Sequence, residues 1–227
     1  MKENETLKIN PLPSKTWYWL HLNDTTVKWN GNVQPCMVTT EEPEQASEAG
    51  LNIKEMTTGA GAGADTLFSD ENLPVLQLTA KAEDGERIIR LDISGEDKEN
   101  AAGTVYIATE ENAHVTVIEK FISGKKAQSD LAFRTKLYAK KNSTIRLIQI
   151  NMLDEGQRLL NAVGSVCDET AKLDVLQMFV GRGDVYNGIQ TELEGNQSEL
   201  HTEIGYIGQK QQTLDMNLVI NHWGKKT

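Results

Sequence analysis

The sequence lacks clustered cysteines, an excess of positive charge and any long apolar run. Its two cysteines, Cys36 and Cys167, are too few for a disulfide framework and lack the CxxC spacing of many metal and redox sites. Lys and Arg total 23 against 33 Asp and Glu, a formal charge of -10, which argues against nucleic acid and membrane surfaces as partners. Without a membrane-length apolar run or the apolar core of a signal peptide, the chain is predicted to be cytoplasmic.

Histidine is scarce as well, and its positions do not suggest a metal site. The four histidines are His21, His114, His201 and His222. They fall in separate segments, and no HxxxH, HxH or HExxH motif places two on one face, so the sequence predicts no metal site. The glycine-rich run GAGAGAD at 59–65 lacks the GK[ST] ending of a phosphate loop, which favours a simple turn.

The chain does contain a repeat, which runs from about residue 110 to the end. Each repeat has a small polar turn and then apolar residues in alternation. One slot is filled in steps of 30, 28 and 27 residues by Val115, Ile145, Leu173 and Leu200. A second series, out of phase with the first, is filled in steps of 26, 26 and 27 residues by Leu137, Val163, Ile189 and Met216.

The repeat predicts stacked β-strands. A period of this size indicates units that complete one another's core, and alternation at every second residue excludes the common helical repeats. Thr, Val, Ile and Leu fill the strands, while Asn, Gly, Asp and Ser fill the turns. We therefore predict an all-β fold, a parallel β-helix (β-solenoid) with two strands and two turns in each coil.

The region before the repeat is expected to be less regular. Strands are predicted at PVLQLTA, ERIIRLDIS and GTVYIAT, between residues 74 and 109, as the first coils. Residues 1–15 are read as a polar tail without order, and residues 39–58 as an acidic linker. The segment between these two regions contains three of the four tryptophans, Trp17, Trp19 and Trp29. This Trp-rich segment is expected to dock on the main body rather than on a partner.

These observations predict two regions. Residues 1–64 would hold the tail, the Trp-rich segment and the linker, and residues 65–227 the β-helix core. The last repeat, LVINHWGKKT, stops in the turn, whereas a solenoid normally closes with a polar cap. We therefore expect the core to be truncated at its C-terminal end, with the strand at 214–220 able to pair with another copy in a homodimer.

A possible catalytic column lies on the outward side of the repeat. Arg146, Asp174 and His201 each follow the inward apolar residue of their repeat, so they should stack. Such a column hosts catalysis in solenoid enzymes that cut acidic polysaccharides, and a carbohydrate-active lyase or hydrolase is one hypothesis. A solvated sheet face needs the same mixed charge, which is the interpretation we favour. Cys167 is expected to be a small buried apolar residue.

The second half resembles the core of the SufB and SufD family of iron-sulfur cluster assembly proteins. The resemblance lies in LPVLQLTAKAEDG, in NAHVTVIEKF and in the succession from NSTIRLIQINML to TLDMNLVINHWGKKT, and it covers residues 73–227. PLPSKTWYWLHLND is similar to the lead-in of the shorter, SufD-like members. The order and spacing of these stretches carry the resemblance, since no single one is specific.

The resemblance implies a right-handed parallel β-helix and a non-enzymatic scaffold. Partners would be a SufB-like or SufD-like paralogue and a SufC-like ATPase, which the family binds through a C-terminal helical segment not found in this sequence. The family's C-S-H-G-like stretch is missing too, so no cofactor is expected on this chain, with an iron-sulfur cluster only at the level of the full complex. Cys167 lies near the place of a SufB cysteine in sulfur transfer, which makes it a candidate binding residue. A purely structural solenoid is a further alternative.

Overall fold

The structure is a computed structural model that describes residues 5–12, 25–29, 32–40, 53–70, 73 and 75–227. Trp17 and Trp19, and most of the predicted acidic linker, lie outside these ranges. Within them the chain forms fifteen strands, one four-residue α-helix and short 3-10 turns. None of the helices in the described ranges is long and apolar enough to cross a membrane.

The strands fall into a small N-terminal group and a long regular series. The bounds of the first group are β1 Glu5–Ile9, β2 Thr25–Trp29, β3 Gln34–Pro35, β4 Met37–Thr40 and, after helix α1 at Ala62–Asp65, β5 Val75–Ala80. The bounds of the series are β6 Glu86–Ser94, β7 Asn100–Thr109, β8 His114–Ile122, β9 Ser129–Ala139, β10 Thr144–Met152, β11 Gln157–Cys167, β12 Lys172–Phe179, β13 Asp184–Leu193, β14 Glu199–Tyr206 and β15 Leu214–His222.

Successive coils stack into two sheets, as the repeat predicted. In the described residues the even sheet has the order β14-β12-β10-β8-β6-β4, and the odd sheet has the order β15-β13-β11-β9-β7-β3, with β5 also beside β7. Every pairing among β6 to β15 is parallel, whereas β4 pairs antiparallel with β6. The all-β solenoid predicted from the sequence is therefore confirmed.

The predicted slots are correct in the even sheet and partly wrong in the odd one. Ile145 pairs with both Val115 and Leu173, and Leu173 pairs with Leu200. In the odd sheet Val163 pairs with Ile189 as predicted, but the other two assignments are each two residues out of register. The pairs found are Thr135 with Val163 and Ile189 with Leu218, instead of Leu137 and Met216.

The two corners of the coil differ in length, which explains this error. Four or five residues connect each odd strand to the following even strand, as at 110–113 and 194–198. At this corner one residue per coil has a positive φ, between 57° and 61°: Asn112, Asn142, Thr170, Gln197 and Lys226. The other corner has loops of four to seven residues, from 153–156 to 207–213, so no turn of constant length marks where an odd strand begins.

The interior of the coil is a continuous apolar core. It runs from Leu78 and Leu91 in the first coils to Ile189 and Leu193 near the end. Each strand contributes every second residue to it, which is the pattern of a sheet with one face buried. The two free cysteines, Cys36 and Cys167, both lie in this core.

The outer face of the odd sheet is covered by an N-terminal strap, defined as residues 5–12, 25–29 and 53–68. Strands β1 and β2 form an antiparallel hairpin. Together with α1, the hairpin packs its apolar residues on outward side chains of the sheet such as Ala132 and Leu160. All ten residues of β7 are buried as a result. The expected docking is confirmed for Trp29, which is fully buried.

The expectation of an unordered tail at residues 1–15 is wrong for residues 5–12. Leu7 and Ile9 are buried in the strap, because the alternation in ETLKI gives β1 one apolar face. In the run 59–65 the predicted turn is found at Gly59 and Ala60, and α1 follows it. The domain division predicted between residues 64 and 65 falls within α1 and stays a prediction.

Candidate functional site

The outer column predicted from the repeat is present, but it lies on an open sheet face. Arg146 is in register with Asp174, and Asp174 with His201. Arg146 Nη2 lies 3.2 Å from Asp174 Oδ2, and the Arg146 side chain is 57% exposed. His201 Nε2 lies 3.4 Å from Glu203 Oε1, also in solvent. The three side chains line none of the larger clefts in the described residues, so they form a solvated charge ladder.

Cys167 lies at the end of β11 and points into the core. Its neighbours in register are Ala139 and Leu193, and its exposed fraction is 0%. Burial raises the pKa of the Cys167 thiol to about 12, and nearby Asp168 adds to the shift. Because the thiolate is the form that attacks sulfur and binds metals, the thiol is held in its unreactive form at neutral pH.

Cys36 has a similar environment in the first coil of the solenoid, beside β7. Its backbone N donates a hydrogen bond to Ala102 O at 2.9 Å, and burial raises the pKa of its thiol to about 12. A Cβ at Gly103 would lie only 2.4 Å from Cys36 Sγ, so the sulfur sits directly against the β7 backbone. Cys36 therefore belongs to the packing that closes the first coil.

A column of polar side chains runs through the apolar core. In the even sheet Gln149 is in register with Glu119 and Gln177, and in the odd sheet Asn161 is in register with Asn187. All five are fully buried. We call these five residues, together with Thr135, the inner polar column.

The members of the inner polar column satisfy one another across the two sheets. Gln149 Nε2 donates to Glu119 Oε2 at 2.6 Å, and Gln177 Nε2 donates to Gln149 Oε1 at 2.6 Å. Asn161 Nδ2 donates to Gln149 Oε1 at 2.7 Å and to Asn187 Oδ1 at 2.8 Å. Asn187 Nδ2 returns a bond to Gln177 Oε1 at 2.8 Å. A network this completely paired avoids the cost of burying amides in an apolar core.

Glu119 forms the acidic end of this column. Thr135 Oγ1 lies 3.0 Å from each of its carboxyl oxygens. Burial raises the pKa of Glu119 to about 7, against a smaller lowering by the bonds from Gln149 and Thr135. Since the effect of burial exceeds that of the two bonds, Glu119 carries a proton over much of the range below neutral pH.

A cleft of about 840 Å³ lies at the variable corner, at the loops that precede the odd strands. Its lining is polar and carries both signs of charge. Within the described chain, each cation that lines it has an acidic partner at 2.5–2.8 Å. These pairs are Arg158–Asp130, Arg182–Asp154 and Lys210–Glu155. The positive side chains that line the cleft are therefore already neutralised by acidic partners.

No group of three or more His, Cys, Asp or Glu side chains in the described residues is arranged to hold a metal ion. The described residues thus form a β-solenoid with a polar column buried inside it.

Residues 92–227 match the SufBD core domain of the SUF system for FeS cluster assembly. The chain belongs to the SufB/SufD family. Comparisons with curated proteins and with solved structures gave no match.

The SufBD core match begins inside β6 and includes every later strand. It covers more than half of the chain, and it contains both the outer charge ladder and the inner polar column of this SufB/SufD-family solenoid. The sequence interpretation missed the inner polar column. A signal was available, because Glu119, Gln149 and Gln177 each follow the inward residue of their repeat by four positions and so share its face.

Proposed function

We propose that this chain is a non-enzymatic scaffold subunit of a SufBCD-type complex for iron-sulfur cluster assembly, and that it acts in the cytoplasm. The observation that carries the proposal is the SufBD core match over the stacked coils. A solenoid of this kind supplies an extended surface, which suits a subunit that holds partners together. Its partners would be a SufB-like or SufD-like paralogue and, within the full complex, a SufC-like ATPase.

The geometry supports a scaffold better than the carbohydrate-active alternative. A polysaccharide lyase or hydrolase needs paired carboxylates, or a base and a metal cluster, directed at one substrate. Arg146 and Asp174 are instead engaged with each other on an exposed face. The cleft at the variable corner has its positive side chains paired, which leaves little to attract an acidic polysaccharide.

Co-purification tests the proposed partnership. The full chain, tagged and co-expressed with the SufB-like and SufD-like proteins and the ATPase of its own source, should elute with a paralogue in a fixed ratio. An unrelated β-solenoid of similar acidity serves as the control bait, because a charge of -10 alone attracts basic proteins. Elution of the chain free of all three proteins, under conditions in which those three still form a complex, would contradict the proposal.

We also predict that this chain alone does not retain a cluster. Reconstitution with iron and sulfide without oxygen should leave no stable, stoichiometric visible absorption, because burial keeps Cys167 and Cys36 as thiols. Cys167→Ser and Cys36→Ser should give the same spectrum as the unchanged chain. A persistent band that disappears only in Cys167→Ser would prove the prediction wrong and make Cys167 a ligand or sulfur acceptor.

A further inference from the structure

The outer face of the even sheet differs from that of the odd sheet, because no described segment of the chain lies over it. Its side chains form neighbouring apolar rows across β8, β10 and β12. The partly or largely exposed members are Ile118, Ile122, Ile148, Ile150, Met152, Leu176 and Met178. Met37, on β4, extends the outermost row. We call these eight residues the apolar face.

Exposed fractions show how open this face is. Met37 is 48% exposed, Met152 42% and Met178 37%. Contiguous apolar patches of several hundred Å² on a soluble protein commonly mark an interaction site. The odd sheet of the same molecule illustrates the alternative, since its apolar outer surface is covered by the N-terminal strap.

The charge around the apolar face points to a second copy of this chain as the occupant. The strands β6, β8, β10, β12 and β14 direct four positive and five negative side chains outward, a net charge of -1, whereas the whole chain carries -10. Two copies of so acidic a protein repel each other over most of their surface. This face is nearly neutral, and its charges alternate between neighbouring strands, as in the pair Arg146–Asp174.

The available area is also sufficient. Five strands of eight or nine residues, about 4.8 Å apart and rising about 3.3 Å per residue, present a face of roughly 24 by 28 Å. Two such faces would bury about 1,300 Å² in total, within the range of about 1,200–2,000 Å² for stable specific interfaces. Twisted β-sheets also pack face to face on one another readily.

We infer that two copies of this chain associate face to face through the apolar faces of their even sheets. The contact is distinct from pairing at the strand 214–220, and it does not depend on the proposed role in cluster assembly.

Methionine oxidation tests the inference without any substitution. Three of the six methionines belong to the apolar face, while Met216 lies on β15 at the other end of the stack and is partly exposed. In the full chain, dilute hydrogen peroxide should oxidise Met37, Met152 and Met178 severalfold more slowly at high than at low protein concentration. Met216 should react at the same rate in both. Equal rates at all four residues, or protection of Met216 alone, would overturn the inference.

Two substitutions give a second test, by sedimentation equilibrium. Ile148→Lys places a charge at the centre of the apolar face and should convert the dimer to a monomer. Leu218→Lys, on the edge strand β15, should leave the dimer intact. Strand content by circular dichroism must be unchanged in each variant, and the oxidation test decides the matter if either variant does not fold. A monomeric unchanged chain at high concentration, or a dimer lost only in Leu218→Lys, would contradict the inference.

Discussion

Replacing Gly188 with alanine is expected to separate the N-terminal strap from the solenoid and to lower the free energy of unfolding by on the order of 3 kcal/mol. A Cβ at Gly188 would lie 2.2 Å from the backbone N of Ala60 and 2.3 Å from the backbone C of Gly59. Backbone atoms cannot move aside as a flexible side chain does, so the strap must shift. Denaturant unfolding measures the loss of stability.

Hydrogen bonds that hold the strap on the solenoid lie next to this contact. Gly59 N donates a hydrogen bond to Val163 O at 3.2 Å, and Asn217 Nδ2 donates to Gly59 O at 2.9 Å. At the far end of the strap, Trp29 Nε1 donates to Asn100 Oδ1 at 2.8 Å. Since Asn100 and Asn217 lie on the first and last odd strands of the regular series, the strap connects nearly the full length of the stack.

Gly208→Ala is the matched control, because a Cβ there meets no atom within 4 Å. It should change the free energy of unfolding by no more than about 0.5 kcal/mol. Limited proteolysis gives a second readout, since a detached strap should be cut between residues 5 and 68 while the coils from β7 onward resist. If the Gly188→Ala chain is as stable and as resistant to protease as the unchanged one, the strap is not in close contact with β13 and the prediction is wrong.

The sequence predicted the even sheet more accurately than the odd one for a physical reason. Turns of nearly constant length, each with one residue of positive φ, precede the even strands, so alignment on these turns places Val115, Ile145 and Leu173 in one slot although their spacing varies. Loops of four to seven residues precede the odd strands, and Thr135 takes the slot assigned to Leu137. A slip of two residues leaves every side chain on the same face. Alternation therefore identifies the buried face but cannot detect such a slip.

The strap and the inner polar column were harder to predict. Contacts of the strap join residues far apart in the chain, as between Thr25 and Asp215, and local alternation contains no information about them. Gln149 and Asn161 look like solvated residues in a sequence, because polar side chains are rarely buried without partners. Only the register of five strands shows that each has a partner. Cys167, by contrast, lies in the core as the favoured interpretation expected, and its role stays a prediction.

The inner polar column makes stability dependent on the protonation of Glu119. Burial raises the pKa of Glu119 from 4.5 to about 7 in the folded chain, so folding favours the neutral acid. Its contribution to stability is complete below pH 4.5. It is lost as the pH rises to about 7, where the folded chain also releases the proton. A shift of this size corresponds to about 3 kcal/mol between the two limits.

Glu119→Gln is therefore expected to stabilise the chain at pH 8 by up to about 3 kcal/mol relative to the unchanged protein, with a difference that shrinks towards pH 5. A glutamine continues the amide series of Gln149 and Gln177, can accept the bond from Gln149 Nε2 and cannot ionise. Denaturant unfolding at a series of pH values measures the difference, which cancels the other titrating groups common to both chains. Glu83→Gln, at an exposed position before β6, is the control for the loss of a surface carboxylate and should change the free energy of unfolding only slightly at pH 8. A Glu119→Gln chain that is no more stable at pH 8 than at pH 5, relative to the unchanged protein, would mean that the buried carboxyl group is accommodated as an ion by the column around it.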